Sequence, residues 1–496
     1  MLDDAPWVDR NVQKPVARHC RGKTGVGDQG ITYSALSSLP LDLWGQIFLL
    51  CLPDVQPAYT DAVNDINQCT AMKAPLLLCR VCRSWRMLAI SMPQLWCSLD
   101  VVVACGAAFP KLELVALWLS RSGSSPISIT LSQKNESYAN RHLVMEVLDL
   151  VKEHVYRWQR IQFDLAGRQP RKVLGTVNGR APLLEQFYIR TYRDTVTADE
   201  DLFRIFEDHV PRLTTLVLSS LPSEDFWTDP ETCKILWNQI KYISVDFVPS
   251  MLEALTVLSE CHSLEHCEFG IDGPQYFMKP PAKRLTHETL RILKLDIESE
   301  ALAMFLDATV LPVLDTLIIH GKGNGIDYWP HTELKGHLGR SSARLRVLRI
   351  HTPWTWGPGF GDLFRHPALQ NLMELSVQDE LDWVSVPCFT LGVLDTLKVH
   401  EHAPCVLPTL ETLEVRGYMP GIDATALLDM VESRWRQCGE SGTVPLKAVY
   451  LVCPGSLAVT DEELHKIKQL KQEGLELSIS QLSHYLGTTD DSDNGF

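Results

Sequence analysis

A short apolar pattern, Leu-x-x-Leu-x-Leu, recurs along most of this chain and limits its fold more than any other feature of the sequence. Other apolar residues replace some of the leucines. Successive occurrences begin 26, 29, 27, 24, 26, 24, 31, 27, 22, 16 and 36 residues apart, and a period of this size is typical of proteins built from stacked repeats. The 16 and 36 add up to two ordinary periods, so we expect one of the neighbouring strands to be misplaced. The twelve occurrences begin at Trp158, Leu184, Leu213, Ile240, Leu264, Leu290, Leu314, Leu345, Leu372, Leu394, Leu410 and Leu446.

Helical patterns, with apolar residues three and four apart, lie between these apolar segments. Alternating short strands and helices at a constant period predict an α/β solenoid over about 141–486, with parallel strands on the concave face and helices on the convex face. The region is leucine-rich-repeat-like, although it lacks the Asn or Cys that usually follows the strand. A single α/β domain with coincidental leucines is the alternative. The helical patterns cover residues 141–158, 199–210, 251–261, 299–308, 424–438 and 461–472.

The composition argues against several classes of protein. Hydrophobic residues at 45% and charged residues at 22% are ordinary for a globular chain. We find no run of about 18 apolar residues, as a membrane helix needs, and the first residues do not resemble a secretory signal. We therefore expect a cytoplasmic or nuclear protein whose 14 cysteines remain thiols. The net charge of -15 argues against binding to nucleic acid or to anionic membranes.

Other segments flank the repeats. Residues 1–34 lack periodicity and predict a disordered arm, and residues 487–496 predict an acidic disordered tail. Residues 35–100 have the spacing of three helices, with a long loop over 54–74 between the first two. Residues 101–140 are expected to connect this helical segment to the solenoid.

Three runs of anchor residues stand out in the helical segment. The first, Leu-Pro-x-x-Leu-x-x-x-Ile-Phe-x-x-x-Leu-Pro, extends from Leu39 to Pro53. The second, Leu-x-x-Val-Cys-x-x-Trp-x-x-x-Ala, extends from Leu78 to Ala89 within a single predicted helix, and Pro93-x-Leu-Trp96 follows. In this order they resemble the F-box motif, a small three-helix module that binds the Skp-type adaptor of cullin ubiquitin ligases. The loop between the first two runs is longer than usual, but its length and the segment 112–126 are similar to those of fungal F-box proteins.

The resemblance implies an adaptor-binding module joined to a substrate-binding repeat region. The partners would be the Skp-type adaptor, the cullin and RING subunits that it carries, and a protein target. An ordinary three-helix subdomain whose tryptophans fill its own core is the alternative. The positions implied to bind the adaptor are Leu39, Pro40, Leu43, Ile47, Phe48, Leu52, Val81, Cys82, Trp85 and Trp96.

Candidate target-binding residues follow from the strand pattern. When the leucines of Leu-x-x-Leu-x-Leu-x point into the core, positions three, five and seven point to the opposite face. Five cations and histidines on the C-terminal half of the concave face would form a basic patch that suits an acidic or phosphorylated partner, unless they balance Glu374 and Glu414. Two tryptophans in a loop after one strand are candidates for an exposed rim or for core caps. The candidates are Tyr188, Arg190 and Tyr242, the patch Arg349, His351, Lys398, His400 and Arg416, and the loop residues Trp354 and Trp356.

No enzymatic signature accompanies these patterns. His320, His351 and His400 share position seven, but no cysteine or carboxylate completes a metal site, so we expect neither a metal nor a cofactor. Cys79 and Cys82 lie within a predicted helix and lack a second pair. We therefore expect a non-catalytic substrate receptor of a Skp-cullin-F-box ligase. A repeat-protein scaffold or a GTPase regulator outside any ligase remains the alternative.

Overall fold

The computed structural model describes residues 39–53, 73–134, 137–166, 180–192, 210–219, 236–271, 283–323, 327–356, 359–379, 389–400, 404–417, 422–436, 443–454 and 460–482. Within these ranges the chain forms twelve α-helices and a large, mostly parallel sheet. The predictions for the arm 1–34, for most of the loop 54–74, for the helix over 199–210 except Val210, and for the tail 487–496 fall outside the described residues. None of the described helices is long and apolar enough to span a bilayer.

Three helices and one 3-10 turn form the start of the described chain. They are α1 (Leu41–Leu50), α2 (Leu78–Val81), α3 (Arg83–Ser91) and the turn Pro93–Trp96. The single helix predicted around Leu78 to Ala89 is divided at Cys82, whose backbone is extended with φ -156° and ψ 172°. The Sγ atom of Cys82 accepts a hydrogen bond from the backbone N–H of Trp85 at 3.5 Å, so this residue caps α3 instead of continuing α2.

Fifteen strands form one continuous sheet in the described part of the chain. Its order is β17-β16-β15-β14-β13-β12-β10-β8-β7-β6-β5-β4-β3-β1-β2, and only β2 is antiparallel to its neighbour. β9 (Leu285–Thr286) and β11 (Thr309–Val310) form a separate parallel pair. The strands of the large sheet are β1 (Ser98–Ala104), β2 (Ala107–Phe109), β3 (Ile127–Gln133), β4 (Trp158–Ala166), β5 (Gln186–Tyr192), β6 (Thr215–Ser219), β7 (Tyr242–Val248), β8 (His266–Ile271), β10 (Ile292–Glu298), β12 (Thr316–Lys322), β13 (Val347–Thr352), β14 (Glu374–Asp379), β15 (Thr412–Arg416), β16 (Ala448–Pro454) and β17 (Glu476–Leu482).

The leucines of the repeat pattern form continuous rows across this sheet. Leu293, Leu317 and Leu348 are register partners on three adjacent strands, and each is at most 1% exposed. Because the register does not shift between most strands, each new repeat adds its apolar residues to the same buried layer. The prediction of stacked α/β units is confirmed at this level. The side chains that alternate with the leucines form the opposite surface, which we call the open face.

Nine further helices connect the strands. Ser250 caps α6, and Thr460 with Glu463 forms a capping box at α12, so these side chains determine where the two helices begin. The predicted bounds 299–308 and 461–472 match the observed helices. The nine are α4 (Leu112–Arg121), α5 (Tyr138–Lys152), α6 (Met251–Glu260), α7 (Ser299–Ala308), α8 (His331–Ser341), α9 (Phe360–Leu363), α10 (Leu391–Leu397), α11 (Ala424–Arg436) and α12 (Asp461–Gln472).

Two parts of the predicted organisation differ from the structure. The strand predicted at Leu394 is helix α10, because Val393, Leu394 and Leu397 also fit one helical face and Thr390 caps it through the N–H of Val393. The uneven intervals of 16 and 36 meet at Leu410, but the strand predicted there is present as β15, so they did not identify the misplaced strand. Residues 101–140, expected to be a connection, contribute part of β1 and all of β2, α4 and β3, so the sheet begins at Ser98.

Two buried arginines join neighbouring repeats. The guanidinium of Arg157 donates to Ser122 Oγ at 2.7 Å and to the carbonyl of Leu119 at 2.8 Å, which ties the turn before β4 to the end of α4. Near the other end of the sheet, Arg434 on α11 donates to the carbonyls of Leu397, Val406 and Leu407. Both side chains are 1% exposed, and each satisfies backbone groups that a purely apolar side chain would leave unpaired.

Candidate functional site

The helices α1 to α3 carry an unusual amount of exposed apolar surface. Helix α1 has the sequence Leu-Asp-Leu-Trp-Gly-Gln-Ile-Phe-Leu-Leu, and apolar residues lie on all its sides. Gly45 and Phe48 of α1 are buried and Trp44 and Leu49 pack half-buried against the core, whereas the other apolar side chains of the helix stay exposed. We call the exposed set the helical apolar surface: Leu41 (70% exposed), Leu43 (48%), Ile47 (37%), Leu50 (85%), Leu77 (40%), Val81 (55%), Met87 (63%) and Ile90 (36%).

The predicted adaptor-binding residues divide into three groups in the structure, which are buried, half-buried and exposed. Phe48 is fully buried, and its ring centroid lies 4.9 Å from that of Trp85. Trp96 is 1% exposed, donates from Nε1 to the carbonyl of Ala89 at 2.9 Å, and packs edge-on against Trp118. These two side chains hold the module together and present no surface. The exposed predicted residues are Pro40, Leu43, Ile47, Val81 and Cys82, whereas Leu39, Leu52 and Trp85 are half-buried.

A cavity of about 390 Å³ adjoins the helical apolar surface. It opens between the end of α1 and the start of α2, and Leu77 and Val81 belong to both the cavity wall and the surface. A concave apolar site next to exposed apolar side chains can accept a protruding apolar side chain of a partner. The lining residues are Cys51, Pro53, Lys73, Ala74, Leu77, Leu78, Val81 and Trp85.

Glu268 organises the middle of the open face. Its carboxylate accepts hydrogen bonds from Tyr242 Oη at 2.9 Å and His266 Nε2 at 3.0 Å, and Lys294 Nζ lies 3.4 Å away. Burial alone would raise the pKa of Glu268. The hydrogen bond from His266, the charge of Lys294 and the hydrogen bond from Tyr242 outweigh burial and lower the pKa to about 2. The predicted target-binding residue Tyr242 is therefore committed to an internal network.

A second network lies further along the open face. Arg349 Nε donates to Glu374 Oε1 at 2.6 Å, and Arg416 Nε donates to Glu414 Oε1 at 2.7 Å. Burial would raise the pKa of Glu414, but the hydrogen bonds from Arg416 and Ser376 lower it. The predicted basic patch is neutralised at these positions, because both arginines balance the carboxylates that the alternative interpretation named.

Two further patch residues, Lys398 and His400, do not lie on the open face. The strand that was to carry Lys398 and His400 is helix α10, and both residues follow its end. Lys398 Nζ lies 3.9 Å from a carboxylate oxygen of Asp429 on α11, and His400 Nε2 lies 3.9 Å from one of Asp395. The five-residue patch is thus divided between two places in the fold.

The loop tryptophans are core caps and not an exposed rim. Trp354 and Trp356 are each 1% exposed. Trp354 Nε1 donates to the carbonyl of Lys322 at 2.8 Å, and the Trp356 ring stacks on Trp329 with centroids 5.0 Å apart. Their apolar area closes the end of the core beside β12 and β13.

The other candidates on the open face have mixed positions. Tyr188 is 9% exposed, Arg190 is exposed, and His351 is half-buried beside His320. In the part of the chain that the structure describes, no group of three or more His, Cys, Asp or Glu side chains could hold a metal ion.

The sequence interpretation missed His266 and Glu268, although both occupy positions three and five of the repeat that begins at Leu264. Counting every repeat in the same frame would have found them. Their importance comes from cross-strand neighbours, since Tyr242 and Lys294 come from strands 24 or more residues away along the chain.

Comparison with known proteins does not assign this chain to a family. No protein-family model matches this chain, and a search of curated proteins returned no significant match.

Proposed function

We propose that this chain is the substrate-recognition subunit of a Skp-cullin-F-box ubiquitin ligase. It binds the Skp-type adaptor through the helical apolar surface and a protein target through the open face of the sheet. The observation that carries the proposal is the apolar exposure of α1 to α3, which coincides with the part of the sequence that resembles an F-box.

Exposed apolar side chains at this density favour a protein interface. Isolated exposed apolar residues are normal on a folded surface, but a contiguous set marks a place where a partner excludes water. Leu41, Leu50 and Met87 are each more than 60% exposed, so a partner could still remove most of their surface from water. Burial of a Leu or Met side chain contributes about 1.5–3 kcal/mol, which offsets part of the free energy that association costs.

The repeat region suits the second task. A sheet with the leucines on one side leaves a broad face of polar side chains, which we propose forms the concave side of the solenoid and holds the target. Catalysis needs no group from this chain, because the ligase places the target beside a ubiquitin-charged enzyme. The cullin and RING subunits join through the adaptor, in the cytoplasm or the nucleus.

The test uses exposed residues, so that loss of binding is not caused by loss of folding. Leu43→Asp with Ile47→Asp places two charges in the helical apolar surface and should abolish co-purification of the adaptor and cullin. Phe48 is unsuitable for this test because its side chain is fully buried. The matched control is Leu391→Asp with Leu464→Asp, which changes two leucines that are 50% and 42% exposed on the distant helices α10 and α12.

The control pair should retain the adaptor at the wild-type level, and both double variants should keep the wild-type helical circular dichroism. Equal adaptor recovery by all three proteins would contradict the proposal. If neither the wild type nor any variant brings down a cullin, the chain acts as a scaffold or a GTPase regulator instead, and hydrolysis assays with candidate GTPases would decide between those two.

A further inference from the structure

Two histidines stack on the open face. His320 on β12 and His351 on β13 are direct register partners. Their ring centroids are 5.2 Å apart and the ring planes differ by 7°. Both side chains are half-buried, so one edge of each ring still meets solvent.

The hydrogen bonds of the neighbouring strand fix which nitrogen of His351 carries the proton. Ser376 Oγ donates to Glu414 Oε2 at 2.9 Å, because an ionised carboxylate can only accept. The same Ser376 oxygen lies 3.3 Å from His351 Nε2, so it must accept from an Nε2–H group. The Nδ1 atom of His351 is therefore the nitrogen that can take up a second proton.

His320 has unused hydrogen-bonding capacity. In the ranges that the structure describes, its ring contacts His351 but makes no hydrogen bond. Burial lowers the pKa of His320, and the charge of Lys294 lowers it further. Burial also lowers the pKa of His351, as does the neighbouring His320. Burial therefore favours the neutral form of both rings, and in the described ranges the nitrogen atoms of the His320 ring have no hydrogen-bond partner.

The permanent charges around the pair are balanced and already engaged. Lys294 lies 3.4 Å from Glu268, Arg349 pairs with Glu374, and Arg416 pairs with Glu414. An incoming anion would therefore have to compete for each of these cations, whereas the imidazoles are still open to it. The charged groups that face the pair are Lys294 and Asp296 on β10, Glu268 on β8, Arg349 on β13, and Glu414 and Arg416 on β15.

We propose that the His320–His351 pair binds an oxyanion of the target, a carboxylate or a phosphate, and takes up a proton as it does so. The inference rests on the proposed role of the open face in target binding, and it names the position on that face where an anion of the target binds. An imidazolium donates a charge-assisted hydrogen bond to an oxyanion, and the neutral partner ring can remain stacked on it. Ile318, two residues before His320 on the same strand, supplies apolar area beside the charge.

Proton uptake makes the site sensitive to pH. An anion that binds only the protonated pair binds up to about tenfold more tightly for each unit of falling pH while the pair is neutral in the free protein. A carboxylate stays ionised over this range, whereas a phosphorylated residue takes up a proton of its own at about pH 6, so the dependence on pH is weaker for a phosphorylated target. The two sources differ in geometry and charge, so simple anions can separate them.

The experiment observes the histidine rings of the full chain, labelled with ¹³C at Cε1, by nuclear magnetic resonance. The titration midpoints of His320 and His351 are measured in chloride, in inorganic phosphate and in acetate at equal ionic strength. His320→Gln and His351→Gln assign the two signals. His400 is the internal control, because it shares the same repeat position in the sequence but follows α10 and lies off the open face.

We expect phosphate, acetate or both to raise the midpoints of His320 and His351 by about half a unit, which corresponds to roughly threefold tighter binding to the protonated pair. The midpoint of His400 should not follow. A rise with phosphate alone assigns the site to phosphorylated targets, and a rise with both assigns it to carboxylates as well. Midpoints that stay fixed, or that move no more than that of His400, overturn the proposal. The result does not depend on adaptor binding, so this site and the ligase function can fail separately.

Discussion

Arg349 and Glu374 lie diagonally across two neighbouring strands and share a hydrogen bond of 2.6 Å between Nε and Oε1. The hydrogen bond to Glu374 is the main reason that the pKa of Arg349 is raised, with burial acting in the opposite direction. The sequence predicted that the Arg349 guanidinium contacts an acidic partner. In the structure its Nε–H group is already bonded to Glu374 within the sheet. A target that uses the Nε–H group of Arg349 must displace a carboxylate of the same chain.

This pair should contribute little to stability. Its side chains are 44% and 26% exposed, so solvent screens the attraction. We expect a double-mutant cycle with Arg349→Ala and Glu374→Ala to give a coupling energy below about 1 kcal/mol in urea unfolding. A coupling several times larger would mean that water is excluded from the pair, and the open face would then be more enclosed than the exposed fractions indicate.

Glu268 should make stability depend on pH in the acid range. Its pKa falls from the ordinary value of 4.5 to about 2 in the folded protein, so the folded state favours the carboxylate. The resulting stabilisation is complete above about pH 5 and is lost as the pH falls through 4.5 towards 2, because the unfolded chain binds the proton first.

Glu268→Gln removes this contribution. At neutral pH the variant should be less stable by about 1.5–3 kcal/mol, the usual effect of losing hydrogen bonds to a charged group. The difference from the wild type should shrink as the pH is lowered below about 4, measured by chemical unfolding at each pH. Glu265→Gln, on an exposed residue of the same repeat, is the control and should show no such convergence. A pH-independent difference for Glu268→Gln would assign the loss to packing.

The repeat pattern predicted the strands of the fold more accurately than it predicted which surface residues are available to a partner. Rows of leucines define the buried face because each position depends only on its own strand, and eleven of the twelve predicted segments are strands. The exception, at Leu394, fits a helical face equally well, and only the cap from Thr390 and packing against α11 decide it.

The candidate sites were harder to predict because they depend on neighbours that are distant in the chain. The sequence fits Trp354 and Trp356 equally well to an exposed rim or to the core. Their place in the core depends on Trp329, which packs against both rings, and on Phe360, which packs against Trp356. Phe48 and Ile47 are adjacent in sequence and both apolar, yet one is fully buried and the other is 37% exposed. The apolar pattern assigns both residues to a helix. Phe48 is buried because its ring packs against Trp85.

Arg434 should be essential to the C-terminal repeats. Its guanidinium donates to the carbonyl oxygens of Leu397, Val406 and Leu407, and the side chain is 1% exposed. Arg434→Met keeps much of the volume but leaves three carbonyls without their donors. Each orphaned group costs about 1–3 kcal/mol, so the variant should lose several kcal/mol in chemical unfolding. Arg436→Met, two residues later on the same helix, removes only exposed ion pairs and should unfold like the wild type. Similar behaviour of the two variants would show that water replaces the buried guanidinium.

The terminal strands should protect the end of the sheet. Deleting residues 440–496 removes β16, α12 and β17, and it exposes the edge of β15 together with the apolar side chains that β16 covers, among them Leu413 and Val415. In a stacked array, an uncapped repeat presents both an apolar surface and unpaired backbone groups, and these promote association between molecules. We expect the truncated protein to aggregate in size-exclusion chromatography and light scattering. The matched control deletes only residues 483–496, keeps β17 as the terminal strand, and should remain as dispersed as the full chain. A dispersed and equally stable protein lacking residues 440–496 would mean that the last strands add nothing to the array.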